Sequence, residues 1–506
     1  MRTRSSLGGV ALAALLLAGC TGGDPQPGPT GAAPTPTATA TATTPEPQDD
    51  AVTVTASIGR APVTAHVHPL EVDGEAAVLT VDFSMADDAP GDVSVSMGRV
   101  MNNAEPGTHL GGVRLVDLAT GTVWWPARDG SKVLSSRDGT TVVPGETTTA
   151  QVVFAVPGDA ETVDVMLPQL GLVPDVPVVR GGGAAAKKLG VTSATEYPSA
   201  ALEAFTAAYD DSSRVTAQGD QTTYTLASDV LFATDEFVLT DAAAAVVDAA
   251  AQQIADAGAG GEVAVVGHTD DRAPDEYNLD LSRKRAQSVA DRITATLGDA
   301  YTLRTEGMGE SMPAVSGTSD EARAANRRVE IRFTAADLGA AITGTPGAAQ
   351  APEPRGVVGA GTATVRATAV DGHEYDVRAV SVVRRAGHLV GTLEVVPQAV
   401  RPMTTLLGPV PAGPSRTRGF SEVLLQSSAF GVSLLGEGSR VFPLDYVTRV
   451  EGRLPPQRSV LTDRAITEVA AGEPTTVTVV WPDMGTDTVD MDVDGVFRIT
   501  DVPVEG

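Results

Sequence analysis

One cysteine, Cys20, occurs in 506 residues. A lone thiol excludes an intrachain disulfide framework and any thiolate metal cluster. Positive charge is also scarce. Against 64 Asp and Glu stand 36 Lys and Arg, a net charge of −28 that argues against nucleic acid as a partner and is usual for an exported surface. Long apolar runs are missing too. Leu7 to Leu17 is too short to span a bilayer and no later run reaches that length. Catalytic signatures are lacking: there is no G-x-S-x-G elbow, no H-E-x-x-H, no Walker loop and no available cysteine nucleophile. His66 and His68 fall on one side of a strand without a third ligand nearby. Asp490, Asp492 and Asp494 imitate a calcium loop, yet Val489, Met491 and Val493 alternate with them as in a strand, and Asp494-Gly495 suits a hairpin turn. The expectation is a non-catalytic chain without cofactor or metal.

What is present begins with an address. Arg2 and Arg4 precede the short apolar stretch, which ends in Leu17-Ala18-Gly19-Cys20. This order is that of an export signal over residues 1–20. Its last four residues resemble a bacterial lipobox, which implies that Cys20 is acylated and anchors the chain to the outer side of a membrane. Residues 21–50, with PTPTATATATTPEP at their centre, cannot build a core and read as a tether. In a polyproline-like state, at ~3 Å per residue, such a tether reaches ~90 Å.

With 42% hydrophobic residues the remainder can bury real cores, about three domains by length. Short alternating segments such as AVLTVDF (77–83), AQVVFAV (150–156) and TVDVML (162–167) mark an all-β sandwich over residues 51–180. The pattern returns over residues 357–506. PGETTTAQVVFAVPGDAETVDVML from Pro144 aligns with AGEPTTVTVVWPDMGTDTVDMDV from Ala471, matching Gly145-Glu146 with Gly472-Glu473 and Val163-Asp164 with Val489-Asp490. Such a duplication implies that the second sandwich folds independently and can be removed without harm to what precedes it. Residues 181–221 and 336–356 read as linkers, the first opening Gly181-Gly182-Gly183, the second rich in Ala, Pro and Gly.

Between the linkers, residues 222–335 alternate strand and helix. Strands are expected at 223–232, 262–268, 301–308 and 327–333, and helices at 241–257, 277–297 and 320–325. The fold class is therefore an α+β multidomain chain, a central β/α domain flanked by two all-β sandwich-like domains.

The strand GEVAVVGHT delivers the carboxylate of Asp270 at its exit. Arg285 follows at the border of the apolar face of the long helix set by Leu279, Ala286, Val289, Ile293 and Leu297. A carboxylate beside a guanidinium matches a zwitterion, since Arg grips a carboxylate in two-point geometry. The same two residues could instead form a structural salt bridge.

The blocks GHTDDRAPDEYNLDLSRKRAQSV (267–289) and NRRVEI (326–331) together resemble the OmpA-like C-terminal domain. That resemblance covers the central fifth of the chain. It implies non-covalent binding of peptidoglycan through diaminopimelate, with Asp270 receiving the ammonium and Arg285 the carboxylate, and Thr269 and Asn278 beside them. The loop VLFATDEFVL (230–239) is similar to a stretch of peptidoglycan-associated lipoproteins that touches the stem peptide, which adds Thr234 and Asp235, although Asp235 also suits a turn. Of Arg327 and Arg328, one, taken as Arg327, is expected to line the pocket and the other to be solvated or to brace the last strand. GMGESMP (307–313) is expected to be structural, as is His268. The expected partners are thus peptidoglycan, a membrane reached through lipid, and possible envelope proteins bound by the sandwiches, with no nucleic acid. An alternative function is an envelope assembly scaffold in which wall binding only localises the chain.

Overall fold

The computed structural model describes residues 51–506 apart from 90, 103–106, 138–139, 182–184, 259, 336–341, 343–349, 370–371, 400–417, 419, 421–427, 450–456 and 464–470. Cys20, the export signal, the tether, residues 182–184 of the first linker and most of the second lie outside the described residues.

The central module opens with three strands, β1 (Ser199–Ala208), β2 (Ser213–Gln218) and β3 (Gln221–Ala227). One turn of helix, α1 (Ser228–Leu231), ends β3, with Phe232 N–H donating to the Ser228 carbonyl. The Thr240 hydroxyl accepts from the Ala243 N–H and so caps α2 (Asp241–Ala257). Then come β4 (Gly261–Gly267), α3 (Asp275–Leu297) and β5 (Tyr301–Gly307). Asp275 and Glu276 place negative charge in the first turn of α3, where it complements the helix dipole. Ser319 caps α4 (Asp320–Asn326), and β6 (Arg328–Thr334) closes the module.

These strands lie in the order β1-β2-β3-β6-β4-β5. Only β4 and β5 run parallel. Val247, Ala250 and Ile254 of α2 and Ala286, Val289 and Ile293 of α3 share one buried core with Tyr224, Val265 and Ile331 of the sheet. Burying each larger aliphatic side chain stabilises by roughly 1.5–3 kcal/mol, which is how a modestly amphipathic α3 is held down. Two glycines permit the close approach. A Cβ at Gly267 would run into the Ser282 backbone and one at Gly307 into Arg283, so the exits of β4 and β5 can meet α3 only without side chains.

Two expectations need correction. The strand expected to reach Phe232 stops at Ala227, because Ser228 to Leu231 turn as α1. Residues 181–221 are not simply a linker, since they contain β1 and β2. The strand β1 finds its second partner in β7 (Ser439–Arg449), from Leu202 opposite Tyr446 to Ala208 opposite Ser439. It also pairs with Thr122–Trp124 on the N-terminal side. The chain is accordingly a mixed α/β structure dominated by sheet.

Each flank has its own core, Leu79, Phe83 and Phe154 in the first and Tyr375, Trp481 and Phe497 in the second. The repeated sequences build the same device. Asp175 and Asp501 both hold φ at 54°, in the left-handed region, and each donates its N–H to a carboxylate, Asp164 and Asp490 respectively. That carboxylate holds the chain at the bulged return of each hairpin.

Residues 357–506 are joined to the central module by the pairing of β7 with β1. Behind their ladder, Arg418 lies 2.6 Å from Asp445 and 3.1 Å from Glu203, and Arg458 lies 2.6 Å from Asp445 and 2.8 Å from Glu203. All four are nearly excluded from solvent. Residues 49–506 form one compact unit.

Candidate functional site

The exit of β4, the start of α3 and the loop after α1 converge at one end of the module. Asp270 leaves β4 with its side chain 13% exposed. Its Oδ2 accepts from Arg327 Nη1 at 2.7 Å and its Oδ1 from the Arg272 N–H at 3.2 Å. Arg327 also grips Asp229 in two-point fashion, Nε to Oδ1 at 2.7 Å and Nη2 to Oδ2 at 2.6 Å. Two carboxylates around one guanidinium hold its pKa well above the ordinary value, the Asp229 hydrogen bonds being the largest cause.

Asn278 sits behind Asp270, 2% exposed, its amide facing the Asp270 carbonyl at 3.1 Å, the Ala273 carbonyl at 2.9 Å and Glu310 Oε2 at 2.7 Å. It therefore braces the loop that carries Asp270. The Thr269 hydroxyl is buried without a hydrogen-bond partner. An unpaired buried hydroxyl costs on the order of 1–3 kcal/mol, a penalty that a ligand could relieve.

Arg285 is 5% exposed. Its Nε donates to the Glu236 carbonyl at 2.9 Å, and its guanidinium lies 5.2 Å from the centre of the Phe232 ring. Among the described residues no carboxylate lies within ion-pair distance of it. Burial pulls its pKa below the ordinary value, partly offset by the fields of Asp229 and Asp235. The alternative of a structural salt bridge between Asp270 and Arg285 is thus not formed; Asp270 is taken by Arg327, and the hydrogen bond of Arg285 uses its Nε. Asp235, at φ 59° in a turn, and Thr234 are both exposed on the loop facing this guanidinium, and only Asp235 acts on it electrostatically. Val238 on the loop after α1, Tyr277 in the first turn of α3 and Met312 after β5 are large apolar side chains left exposed.

Sequence reasoning missed Asp229 and Glu310. Asp229 stands one residue ahead of the loop that was singled out, and the signal for it was a carboxylate at a strand exit. Glu310 lies within GMGESMP, where it holds Asn278. The two adjacent arginines divide their work, Arg327 holding Asp270 and Arg328 bracing Glu330 at 2.7 Å and the Met312 carbonyl at 3.2 Å.

Beneath the site, burial and the nearby Arg328 pull His268 down to about 4, so it is neutral at neutral pH. A histidine whose folded pKa lies below its ordinary 6.5 contributes stability that is complete above 6.5 and lost as pH falls toward 4. The loss amounts to roughly 3 kcal/mol at about 1.4 kcal/mol per pH unit. Asp463, pushed up to about 6 by burial, works in the opposite sense over part of this range. The test is therefore a variant and not the bare profile. His268→Gln is expected to flatten the fall of the melting temperature between pH 6.5 and 4, and an unchanged slope would refute the assignment.

Among the described residues no group of three His, Cys, Asp or Glu side chains could hold a metal ion, and no helix is long and apolar enough to cross a membrane. Asp492 and Asp494 of the calcium-like sequence are ion-paired with Arg440 and Arg355.

The chain is 40% identical over 72 residues to probable lipoprotein YiaD of Escherichia coli (strain K12), covering 14% of this chain and 33% of that one. It is 36% identical over 118 residues to outer membrane protein A of Escherichia fergusonii, covering 21% of this chain and 49% of that one. The match thus spans between a third and a half of these relatives. Among solved structures, the cell wall anchor of the T6SS from Pseudomonas aeruginosa is 35% identical with a TM-score of 0.23, over 25% of this chain and 90% of that one. The peptidoglycan-associated lipoprotein from Burkholderia pseudomallei is 28% identical with a TM-score of 0.18, over 21% and 88%. Residues 231–327 match the OmpA family, so the segment that brings Asp270, Arg285 and Arg327 together is an OmpA family domain.

Proposed function

We propose that this domain holds peptidoglycan non-covalently by the diaminopimelate of its stem peptide, Asp270 taking the ammonium and Arg285 the carboxylate. The observation that carries the reading is Arg285 itself: a guanidinium 5% exposed, without a carboxylate partner among the described residues, near a loop edge. A buried charge that lacks its counter-ion is costly, and a ligand carboxylate supplies one. Asp270, with one exposed face and a lone pair free on each oxygen, supplies the complementary negative charge. Arg327 orients Asp270, and Asn278 positions its loop. Thr269 joins the strand exit to Asp270, and the exposed Thr234 and Asp235 line the approach. Sedimentation of residues 49–506 with purified sacculi tests this. Wild-type protein should pellet and Arg285→Ala should stay in solution; equal pelleting of the two would overturn the reading.

The protein is on this reading a non-catalytic lipoprotein of the cell envelope, anchored through acylated Cys20 and reaching the wall across its tether. Cys20→Ser removes the only thiol that could be acylated. The variant is expected to leave the membrane fraction once peptidoglycan has been digested, since the anchor is one lipidated residue. Retention in the detergent phase would contradict the anchor.

A scaffold role is favoured by one observation. Val357, Val358, Val380 and Val383 stand at least 39% exposed on strands of the C-terminal flank. If they dock an envelope protein, Val358→Asp with Val380→Asp should lose a cross-linked partner while still pelleting with sacculi.

A further inference from the structure

Beside the proposed clamp lies a cavity of about 400 Å³, lined partly by the matched family segment and partly by residues ahead of it. Its floor is Arg214 on β2, a strand that precedes that segment. Arg327, which holds Asp270, and its other partner Asp229 also line it. The cavity therefore adjoins the clamp through a shared ion pair.

Arg214 is unlike the other arginines here. Its Nε is buried and has no hydrogen-bond partner, and among the described residues no carboxylate lies within ion-pair distance of it. Neighbouring charges are already engaged: Asp229 is taken by Arg327 and Arg328 by Glu330. Asp211 is the carboxylate whose field reaches Arg214 most strongly, without pairing to it. Ala322, Ala325 and Val315, from α4 and the loop before it, supply a small apolar stretch of wall, while Asp211, Ser319 and Glu321 keep other parts of it polar. A half-buried guanidinium with a free donor edge, opposite methyl-sized surface, matches a carboxylate borne on a methyl-bearing carbon.

We propose that this cavity is a second subsite, in which Arg214 takes the carboxylate of a carboxyl-terminal alanine on the wall peptide while Ala322, Ala325 and Val315 pack its methyl group. This rests on the diaminopimelate reading above and adds selectivity for peptide length and for a free carboxyl end. The free guanidinium makes the contact electrostatic, so an uncharged end should be disfavoured.

The test is calorimetry of the full chain with two synthetic wall tetrapeptides containing diaminopimelate and ending in alanine, one with a free carboxylate and one with a carboxamide. Wild type is expected to prefer the free acid by at least about tenfold, the usual scale for losing one desolvated charge contact. Arg214→Gln should bind both peptides alike, at the wild-type affinity for the amide, and Arg214→Lys should keep part of the preference. Ala325→Leu, which fills the cavity, should weaken the tetrapeptide but not the tripeptide that lacks alanine. Equal binding of acid and amide by wild type, or an undiminished preference in Arg214→Gln, overturns the subsite. If those results come with binding that Asp270→Ala abolishes, only the subsite falls. If wild type binds neither peptide, the diaminopimelate reading falls and the subsite with it.

Discussion

Arg285→Ala is expected to weaken binding of diaminopimelate-containing wall fragments by at least about tenfold while leaving the domain folded. Losing one partner of a desolvated charge pair costs roughly 2–5 kcal/mol, and each 1.4 kcal/mol is about a factor of ten. Among the described residues this arginine forms one hydrogen bond, to the Glu236 carbonyl, and one ring contact, with Phe232. Its removal breaks no ion pair among the described residues, so the melting temperature should hardly move. Had Asp270 and Arg285 formed a structural salt bridge, the same substitution would destabilise the domain instead. Arg285→Lys should not restore binding, because an ammonium cannot offer the planar two-point grip. Asp270→Ala should lose binding to a similar degree with a modest loss of stability. Arg327 would still hold Asp229 through both of its hydrogen bonds. Calorimetry paired with thermal melts separates these outcomes, and wild-type affinity in either alanine variant would contradict the clamp.

Deletion of residues 357–506 is expected to be the more damaging change, although it removes nothing from the clamp. It strips β7 from β1 along the whole ladder from Leu202 to Ala208. The Phe205 ring loses Phe442 at 5.3 Å and Trp125 loses Tyr446 at 5.3 Å. Glu203, buried beside Arg418 and Arg458, would keep neither, and leaving a buried charge unpaired typically costs ~3–5 kcal/mol. On the N-terminal side Asp164 and Asp175 lose Arg385, and the Gln169 N–H loses the Asp463 carboxylate. At about 2–4 °C per kcal/mol for a domain of this size, the melting temperature should drop by more than ~10 °C, with aggregation through the exposed edge of β1. Differential scanning calorimetry of residues 49–356 checks this; a truncated protein that melts where the parent does would show that the β1–β7 ladder contributes little.

Much of the module was legible because its signals are local. The helices expected at 241–257 and 277–297 form as α2 and α3, the second starting two residues earlier, at Asp275. Asp270 and Arg285 could be singled out because a strand exit and a helix border place them by short-range rules. Their partners could not. Asp270 pairs with Arg327, 57 residues away, and β1 with β7, more than 200 residues on, and no periodicity encodes such choices. The stretch SAALEAFTAA of β1 is rich in alanine and follows a glycine-rich opening, so it carries little strand signal of its own; burial against β7 and β2 makes it a strand. The sequence repeat was visible, and with it the paired carboxylates Asp164 and Asp490. The joining of the flanks to β1 was not legible from it, because the surfaces that join them lie outside the repeated residues.

The central claim is that Arg285 is held ready for a carboxylate on a carbon that also bears an ammonium. The most direct measurement is calorimetry of residues 49–506 with two stem peptides identical except at one residue, diaminopimelate in one and lysine, which lacks that carboxylate, in the other. The account predicts that the diaminopimelate peptide binds at least about tenfold more tightly, and that the difference vanishes in Arg285→Ala. Equal affinity for the two peptides, or a preference that survives in Arg285→Ala, would contradict it.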